Sequence, residues 1–509
     1  MPTTPTPSVH DLRAQFEAVL ASMTSEEAQT VSADTMERRL LQQLLALGRS
    51  LFALFLSTRA AATAARSYVG PDGVERPYHD ERTRPYVSIF GRVVVARPYF
   101  WRKGVGGVAP VDALRALPAT TCSDLVRETA EELGVEEAYH KGLGVLRRLL
   151  GLELLTRTLQ AQVAEDAPGV EAFYAQEEPP LPQEEAAILV LQADGKGVPI
   201  VRPPTAAAET PAPRRLGKGQ KRGGKREATL TAVYTIAPAV RTPEAVVESL
   251  FRDPAAGAPA GDAAHATREG PRHKRLWATL AGKDAALAEA AAREARRDGP
   301  HLTHRVALTD GSQALQERVQ RPFPTFTLVL DLIHATEYLW KAANALLGET
   351  NPRRTAWVKA RTLHLVRSQS AWVVADLRHL AATPGRARRA RAVLTKVAAY
   401  LARNAPYMDY ATYLAQGWPI ATGVIEGACR HLVKDRCELS GMRWTIDGAE
   451  ALLHLRCVHE NGDWDAYHAF RRRQRHQQLY AVPYPDDTAT PLDFHALEPH
   501  ADTLPALAA

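Results

Sequence analysis

AILVLQADGKGV, residues 187–198, is the stretch whose reading decides the fold. Its apolar run is short, bounded by polar punctuation and closed by Asp194-Gly195, which fits a buried strand better than a helix. The same texture returns in HRVALTDGSQAL, residues 304–315, closed by Asp310-Gly311. A glycine after each aspartate lets the chain turn and lets a bulky ligand come close. A third acid, Glu426, lies in PIATGVIEGACRHLVKDR, residues 419–436, just before the pattern turns helical at HLVKDR. Taken singly, Asp-Gly after a strand is ordinarily a turn. Two strand-end aspartates and a helical glutamate, far apart in sequence, together predict a cluster of carboxylates.

Carboxylate oxygens are the donors that hard divalent cations prefer, and magnesium keeps part of its water shell, so three carboxylates suffice with a phosphate supplying the rest. A pair of such ions about 3.5 to 4 Å apart can activate a water or a 3′-hydroxyl on one side of a phosphodiester and stabilise the departing oxygen on the other. This layout is the one a nucleic-acid-cleaving RNase H-like site requires. The expected ions are two Mg²⁺, with Mn²⁺ as a substitute. Asp331, in FTLVLDLIH at 326–334, rivals Asp310 as the second acid. Asp310 is preferred because it follows the strand that comes directly after a crossover helix, while Asp331 also reads as the N-cap of the next helix. His334 is either structural, or orients a carboxylate, or contacts the backbone of DNA.

Outward from these strands the chain divides by texture. Residues 10–65 are rich in Leu, Ala, Glu and Arg at helical spacing and predict a helical pair within a region 1–80. YVSIFGRVVVARPYFW then alternates as a β-hairpin over about 82–103. The glycine-punctuated segment up to 165 reads as helix-turn-helix-like or as a plain helical bundle. In the first case a helix near 152–164 presents Thr156, Arg157, Thr158 and Gln160 to a major groove. The acidic, proline-rich run 166–186 marks a linker. A first catalytic part spans 187–336, with a first strand at 187–193, a cationic loop at 197–226 and a crossover helix over 274–299. Helical pattern at 337–416 predicts an insertion, 417–475 returns to the catalytic domain with the Glu426 helix, and 476–509 is a tail. The expected fold class is therefore α+β multidomain: an RNase H-like mixed α/β domain with an all-helical insertion, preceded by helical and helix-turn-helix-like regions.

The chain has 509 residues, 45% hydrophobic and 24% charged, enough for about three domains with real cores. Its formal net charge of +6 leans modestly toward a polyanionic partner. The cationic clusters are more informative. RRLGKGQKRGGKR at 214–226 offers Arg214, Arg215, Lys218, Lys221, Arg222, Lys225 and Arg226 as phosphate contacts, and GRARRARAVLTK at 385–396 adds a second group. Each alone reads equally well as a solvated segment. On the Glu426 helix, Arg430 and Lys434 fall at four-residue steps and are expected along the same face. Trp444 is either core or an aromatic that stacks on an unpaired base. Four cysteines without paired spacing point to free thiols in a reducing compartment rather than to disulfides or zinc. No secretory leader or membrane span is expected: LLALGRSLFALFLSTRAAATAA is broken by Arg49 and Arg59 and reads as an amphipathic helix.

The segment 417–470, GWPIATGVIEGACRHLVKDRCELSGMRWTIDGAEALLHLRCVHENGDWDAYHAF, resembles the C-terminal signature of the ISKra-type insertion-sequence transposases, bacterial DDE enzymes related to the Mutator-like group. ADGKG at 193–197, KREATLTAVYTIAP at 225–238, LTDGSQALQ at 308–316 and DLIH at 331–334 extend the resemblance, and FGRVVVARPYFW extends it more weakly. The resemblance implies Asp194, Asp310 and Glu426 as the catalytic, metal-holding triad. It implies Asp331 and His334 as the counterpart of that group's Cys-or-Asp, two residues, His signature. It further implies metal-dependent 3′-end cleavage and strand transfer on double-stranded DNA, at terminal inverted repeats and a target. A homo-dimer or larger assembly and a cytoplasmic, nucleoid-associated location follow from the same resemblance. The alternatives are a related nuclease or resolvase without strand transfer, and a non-catalytic DNA-binding regulator.

Overall fold

The computed structural model describes residues 7–62, 65–201, 224–252, 269–439 and 441–485. The chain divides into two compact units, Met1–Phe173 with Asp463–Ala509, and Tyr174–Gly462.

In the first unit, α1 (Val9–Met23) and α2 (Ala33–Ala62) form the expected helical pair. Ser8 starts α1 with a capping box: its hydroxyl accepts from the Asp11 N–H, and its own N–H donates to the Asp11 carboxylate at 2.8 Å. Four antiparallel strands follow in chain order, β1 (Ser67–Val69), β2 (Glu75–Ser88), β3 (Gly91–Arg102) and β4 (Gly106–Val108). The hairpin is therefore present but longer than expected, and a boundary at residue 80 would cut β2. The cause is composition: ERPYHDERTRPYVS is too polar to read as a strand, yet its backbone pairs with β3 from Tyr78 to Ser88. After α3 (Pro110–Leu114) come α4 (Asp124–Glu136), α5 (Tyr139–Leu150) and α6 (Thr156–Asp166). Gly151 ends α5 in the left-handed region, at φ 67°. On α6 Leu159 is buried, whereas Thr156, Arg157 and Gln160 are exposed. A helix over Trp464–Tyr480 completes this unit and sends Arg471 and Arg475 to buried Asp166 at 3.1 and 2.5 Å. Placing 417–475 in the catalytic domain is thus corrected at its end.

The linker expected over 166–186 is also corrected. Asp166 is fully buried, α7 (Gly169–Gln176) is helical, and Glu185 is buried with its carboxylate accepting from the Arg297 guanidinium at 2.7 and 2.8 Å. An acidic, proline-rich composition reads as solvated only because the arginines that neutralise it are distant in sequence.

The second unit is built on a five-stranded mixed sheet. Its elements are β5 (Ile188–Ile200), β6 (Gly224–Ile236), α8 (Pro243–Leu250), β7 (Arg272–Thr279), α9 (Lys283–Arg297), β8 (His304–Thr309), α10 (Gln313–Gln320) and β9 (Thr327–Leu330). The strand order is β7-β6-β5-β8-β9, antiparallel across β7, β6 and β5 and parallel across β5, β8 and β9. Leu189, Leu191 and Val233 of the sheet pack with Leu287 and Ala290 of α9 and with Leu315 and Val319 of α10. Helices α11 (Leu332–Leu347), α12 (Arg353–Val366), α13 (Ser370–Ala382), α14 (Arg388–Asn404) and α15 (Tyr410–Ala415) then form an all-helical stretch. The chain returns through α16 (Gly423–Ala428), a π-helical turn (Cys429–Lys434), α17 (Asp435–Cys437) and α18 (Ile446–Glu460).

Two expectations for the sheet are corrected. The chain does not turn at Gly195: β5 runs on to Ile200, paired with β6 throughout, so residues 197–200 and 224–226 of the expected loop are strand, and 202–223 lie outside the described residues. The helix expected from 274 begins at Lys283, because RHKRLWAT is strand β7, whose Leu276, Trp277 and Ala278 are buried.

Candidate active site

Strand register brings the acids together. Gln192 of β5 lies opposite Leu308 of the parallel β8, so Asp194 and Asp310, two residues further on, leave the pair side by side. Thr309 of β8 lies opposite Leu330 of β9, and the Asp331 N–H donates to the Thr309 carbonyl at 3.0 Å. Asp194, in β5 just past its pairing with β8, therefore stands beside Asp310 and Asp331, which directly follow the ends of β8 and β9. The fourth acid, Glu426, arrives on α16, whose start is fixed to the same sheet by Gln192. The buried Gln192 amide donates to the Tyr234 hydroxyl at 2.9 Å, and its carbonyl accepts the Ile425 N–H at 2.9 Å.

The residues at this site close enough to share one ion are not the three acids expected. Asp331, His334 and Glu426 offer ligand atoms that all lie within 4.8 Å of one another, with Asp194 and Asp310 adjacent. Hydrogen bonding separates their roles. Asp331 is fully buried and saturated: Oδ1 accepts the Ile333 N–H at 2.9 Å as an N-cap, while Oδ2 meets His334 Nδ1 at 2.7 Å and accepts the Thr422 hydroxyl at 2.5 Å. Asp310 has one such partner, the Ser312 N–H on Oδ1 at 2.8 Å. Asp194 takes the Gly195 N–H on Oδ1 at 2.6 Å and the Cys429 thiol on Oδ2 at 3.4 Å. Asp310 and Glu426 thus keep more oxygen free for a cation than Asp331 does.

The electrostatics fit a cation. Burial, and then the charge of Asp310, push the Asp194 carboxyl above the ordinary carboxylate range. Glu426, although largely exposed, is raised in the same direction by partial desolvation, then by Asp331 and Asp194. The hydrogen bond to Asp331 and the surrounding acids raise His334 to about 9, so in the metal-free protein it is the charge that balances this crowd. A cluster of oxygen donors that raise one another's pKa is relieved by a hard divalent ion. By contrast, a second acid-histidine group in the first unit, Glu131, Asp166 and His468, is no such site, since Arg127, Arg471 and Arg475 already surround Asp166.

The helical stretch grips the Asp310 turn from one side. The Tyr400 hydroxyl donates to the Asp310 carbonyl at 2.9 Å, and Arg403 donates to the Gly311 carbonyl at 2.6 Å. A cleft of about 610 Å³ opens here, lined by Asp310, Tyr338, Lys396, Tyr400 and Arg403 among others. Gly311 has φ 80°, and a Cβ on it would sit 2.5 Å from the Tyr400 hydroxyl oxygen and 2.7 Å from a Leu330 methyl. Gly311→Ala is accordingly expected to cost about 1–3 kcal/mol and to move the Asp310 turn. Thermal melting and cleavage should fall together, and an unchanged melting temperature would refute the strain.

The other sequence candidates are placed as follows. Arg214, Arg215, Lys218, Lys221 and Arg222 lie outside the described residues. Lys225, on β6, pairs with Glu438, and Arg226 Nε donates to the Leu280 carbonyl at 3.1 Å. The expected shared face of Glu426, Arg430 and Lys434 is corrected by the π turn, which is wider than an α turn and breaks the four-residue alignment. Arg430 instead faces Asp435 at 3.5 Å, an exposed pair of little energetic weight, and Lys434 is exposed. Trp444 is core, not a base-stacking platform. It is buried, its indole N–H donates to the Cys437 carbonyl at 3.2 Å, and its backbone bonds to Pro199 and Val201 at 3.0 and 2.8 Å.

Gln192, Thr422 and Cys429 were missed. The one available signal was Gln192, an uncharged polar residue inside an otherwise apolar strand. Gln192→Leu is expected to leave the Ile425 N–H unsatisfied, at about 1–3 kcal/mol, and to lower cleavage more than DNA binding because Glu426 loses its anchor. Full cleavage in this variant would remove Gln192 from a positioning role.

No protein-family model matches the sequence, and no curated protein matches it. Among solved structures, the chain is similar to the Drosophila P element transposase in its strand transfer complex. The sequence identity is 9% and the TM-score 0.23, over 73% of this chain and 85% of that one. A likeness that faint decides nothing, and the site's own chemistry has to carry the functional reading.

Proposed function

We propose that this chain is a DNA transposase with an RNase H-like catalytic domain, cutting at the 3′ ends of an insertion sequence and transferring them to target DNA. One observation carries the reading: the register of three adjacent parallel strands puts Asp194, inside β5, beside Asp310 and Asp331 at the ends of β8 and β9, and Glu426 is anchored near them by Gln192. The resemblance of 417–470 to ISKra-type transposases, which includes the Glu426 segment, supports it independently. Asp194, Asp310 and Glu426 would hold two Mg²⁺, or Mn²⁺ in their place, which supply Lewis acidity at the phosphodiester. Asp331, locked by Thr422 and His334, would position Glu426 rather than bind first. Lys396 and Arg403, in the cleft beside Asp310, provide cations for the DNA backbone.

The test incubates the protein with labelled element ends, target plasmid and Mg²⁺. Joined products support a transposase. Cut but unjoined ends would instead indicate a nuclease or resolvase, and shifted but intact DNA a binding regulator.

A further inference from the structure

The helical pair of the first unit leaves a seam uncovered. Phe16 and Leu20 on α1, and Leu41, Leu44, Leu51 and Phe55 on α2, are each between 42% and 52% exposed. Along α2 the steps are three, seven and four residues, the a/d spacing of a helix that packs against another helix. This seam is not the face that builds the unit. Leu12 and Val19 are the buried residues of α1, and Ser22 and Gln43 hydrogen-bond between the helices at 3.0 Å. Leu56, with Phe52 and Ala53, covers Tyr86, Val93 and Val95 of the sheet. One face of α2 thus meets α1, a second meets the sheet, and a third leaves Leu41, Leu44 and Leu51 about half exposed, with Phe55 at its end under the Arg115 guanidinium, 3.7 Å from the ring centre.

We infer that this seam is a homodimer interface, in which the α1–α2 pair of one copy packs on that of a second copy. Size favours that occupant. Six large apolar side chains of about 150–200 Å² each, half exposed, present roughly 500 Å² per copy. With flanking polar residues this approaches the ~800 Å² per partner of a standard interface, and it lies in the range that marks interaction sites. A patch that faces its own copy about a two-fold axis is self-complementary without needing a second protein. Flanking charge suits it as well: Asp34 pairs with Arg38 at 2.9 Å and Arg39 with Glu27 at 3.0 Å, so both signs border the seam. A lipid bilayer is the competing occupant, because Ala33–Ser57 is long and apolar enough to cross a membrane, with a mean hydropathy of 1.4. Against it stand Arg38, Arg39, Gln42, Gln43 and Arg49 within that stretch, and the second face of α2 that is already committed to the sheet.

The inference does not depend on the catalytic reading, and its test uses no cleavage assay. The full chain is measured by light scattering after size exclusion and by sedimentation at micromolar concentration, for wild type and Leu44→Glu/Leu51→Glu. The expected result is a dimeric wild type and a variant whose dimer dissociation constant rises about tenfold or more, with unchanged circular dichroism. A monomeric wild type would overturn the inference whatever the variant does. So would a well-folded variant that stays dimeric. Binding of a monomeric wild type to phosphatidylcholine–phosphatidylglycerol vesicles, lost in the variant, would give the seam to a membrane instead.

Discussion

Asp194→Asn is expected to lower cleavage of element ends by roughly a thousandfold or more while leaving DNA binding and the fold in place. Asparagine keeps the shape and still offers Oδ1 to the Gly195 N–H, so the local bond at 2.6 Å survives. What disappears is a negative oxygen aimed into the cluster. That charge is costly in the metal-free protein, since burial and Asp310 both disfavour it. The melting temperature should therefore hold or rise, as it would not if the residue were a structural ion-pair partner. Asp310→Asn and Glu426→Gln should behave alike. Asp331→Asn should differ: its carboxylate takes three hydrogen bonds, from Ile333, His334 and Thr422, so both stability and cleavage should drop. Retained cleavage in any one of Asp194→Asn, Asp310→Asn or Glu426→Gln would strike that residue from the metal-holding set.

The contrast between what was and was not readable in the sequence follows from range. β5, β8 and β9 announce themselves because strands buried on both faces are short apolar runs, and the acids stand where those runs break. The helical stretch from α11 to α15 was equally plain, being long and periodic. Strand β7 was not, because LWAT is continuous in composition with the alanine-rich α9 and only its pairing with β6 makes it a strand. Nor was the end of β5: Asp-Gly reads as a turn, and it is the partner strand β6 that holds Gly195 extended. At the site, the acids could be named from their own neighbourhoods. The residues that aim them, Gln192 on Ile425 and Thr422 on Asp331, act across more than 90 residues of chain, and nothing local records such a bond. The π turn after Ala428 is of the same kind: a helical repeat predicts which residues share a face only while the repeat is α.

Divalent cations should raise the melting temperature of the intact protein, and the size of that rise should depend on pH in a fixed direction. Asp194 and Glu426 have folded-state pKa values above those of the unfolded chain. For such acids the stabilising share is complete below the unfolded value and is lost as pH climbs through the folded one, because the folded state binds the proton more tightly. At neutral pH the metal-free cluster is therefore a net cost, and a cation that binds only the ionised carboxylates removes it. Saturating Mg²⁺ or Mn²⁺ at about 100 times its dissociation constant corresponds to about 2.7 kcal/mol, which for a unit of this size is on the order of 4–5 °C. The increment should be largest near about pH 8 and shrink toward about pH 5 as protons compete for the same oxygens. His334 works in the same direction: raised to about 9, it is a cation near the site at neutral pH and weakens divalent binding until it loses its proton. An Asp194→Asn/Glu426→Gln double variant should melt at a temperature that metal no longer moves. If Mg²⁺, Mn²⁺ and Ca²⁺ all leave the wild-type melting curve unshifted across this pH range, the cluster does not hold a metal and the catalytic reading fails with it.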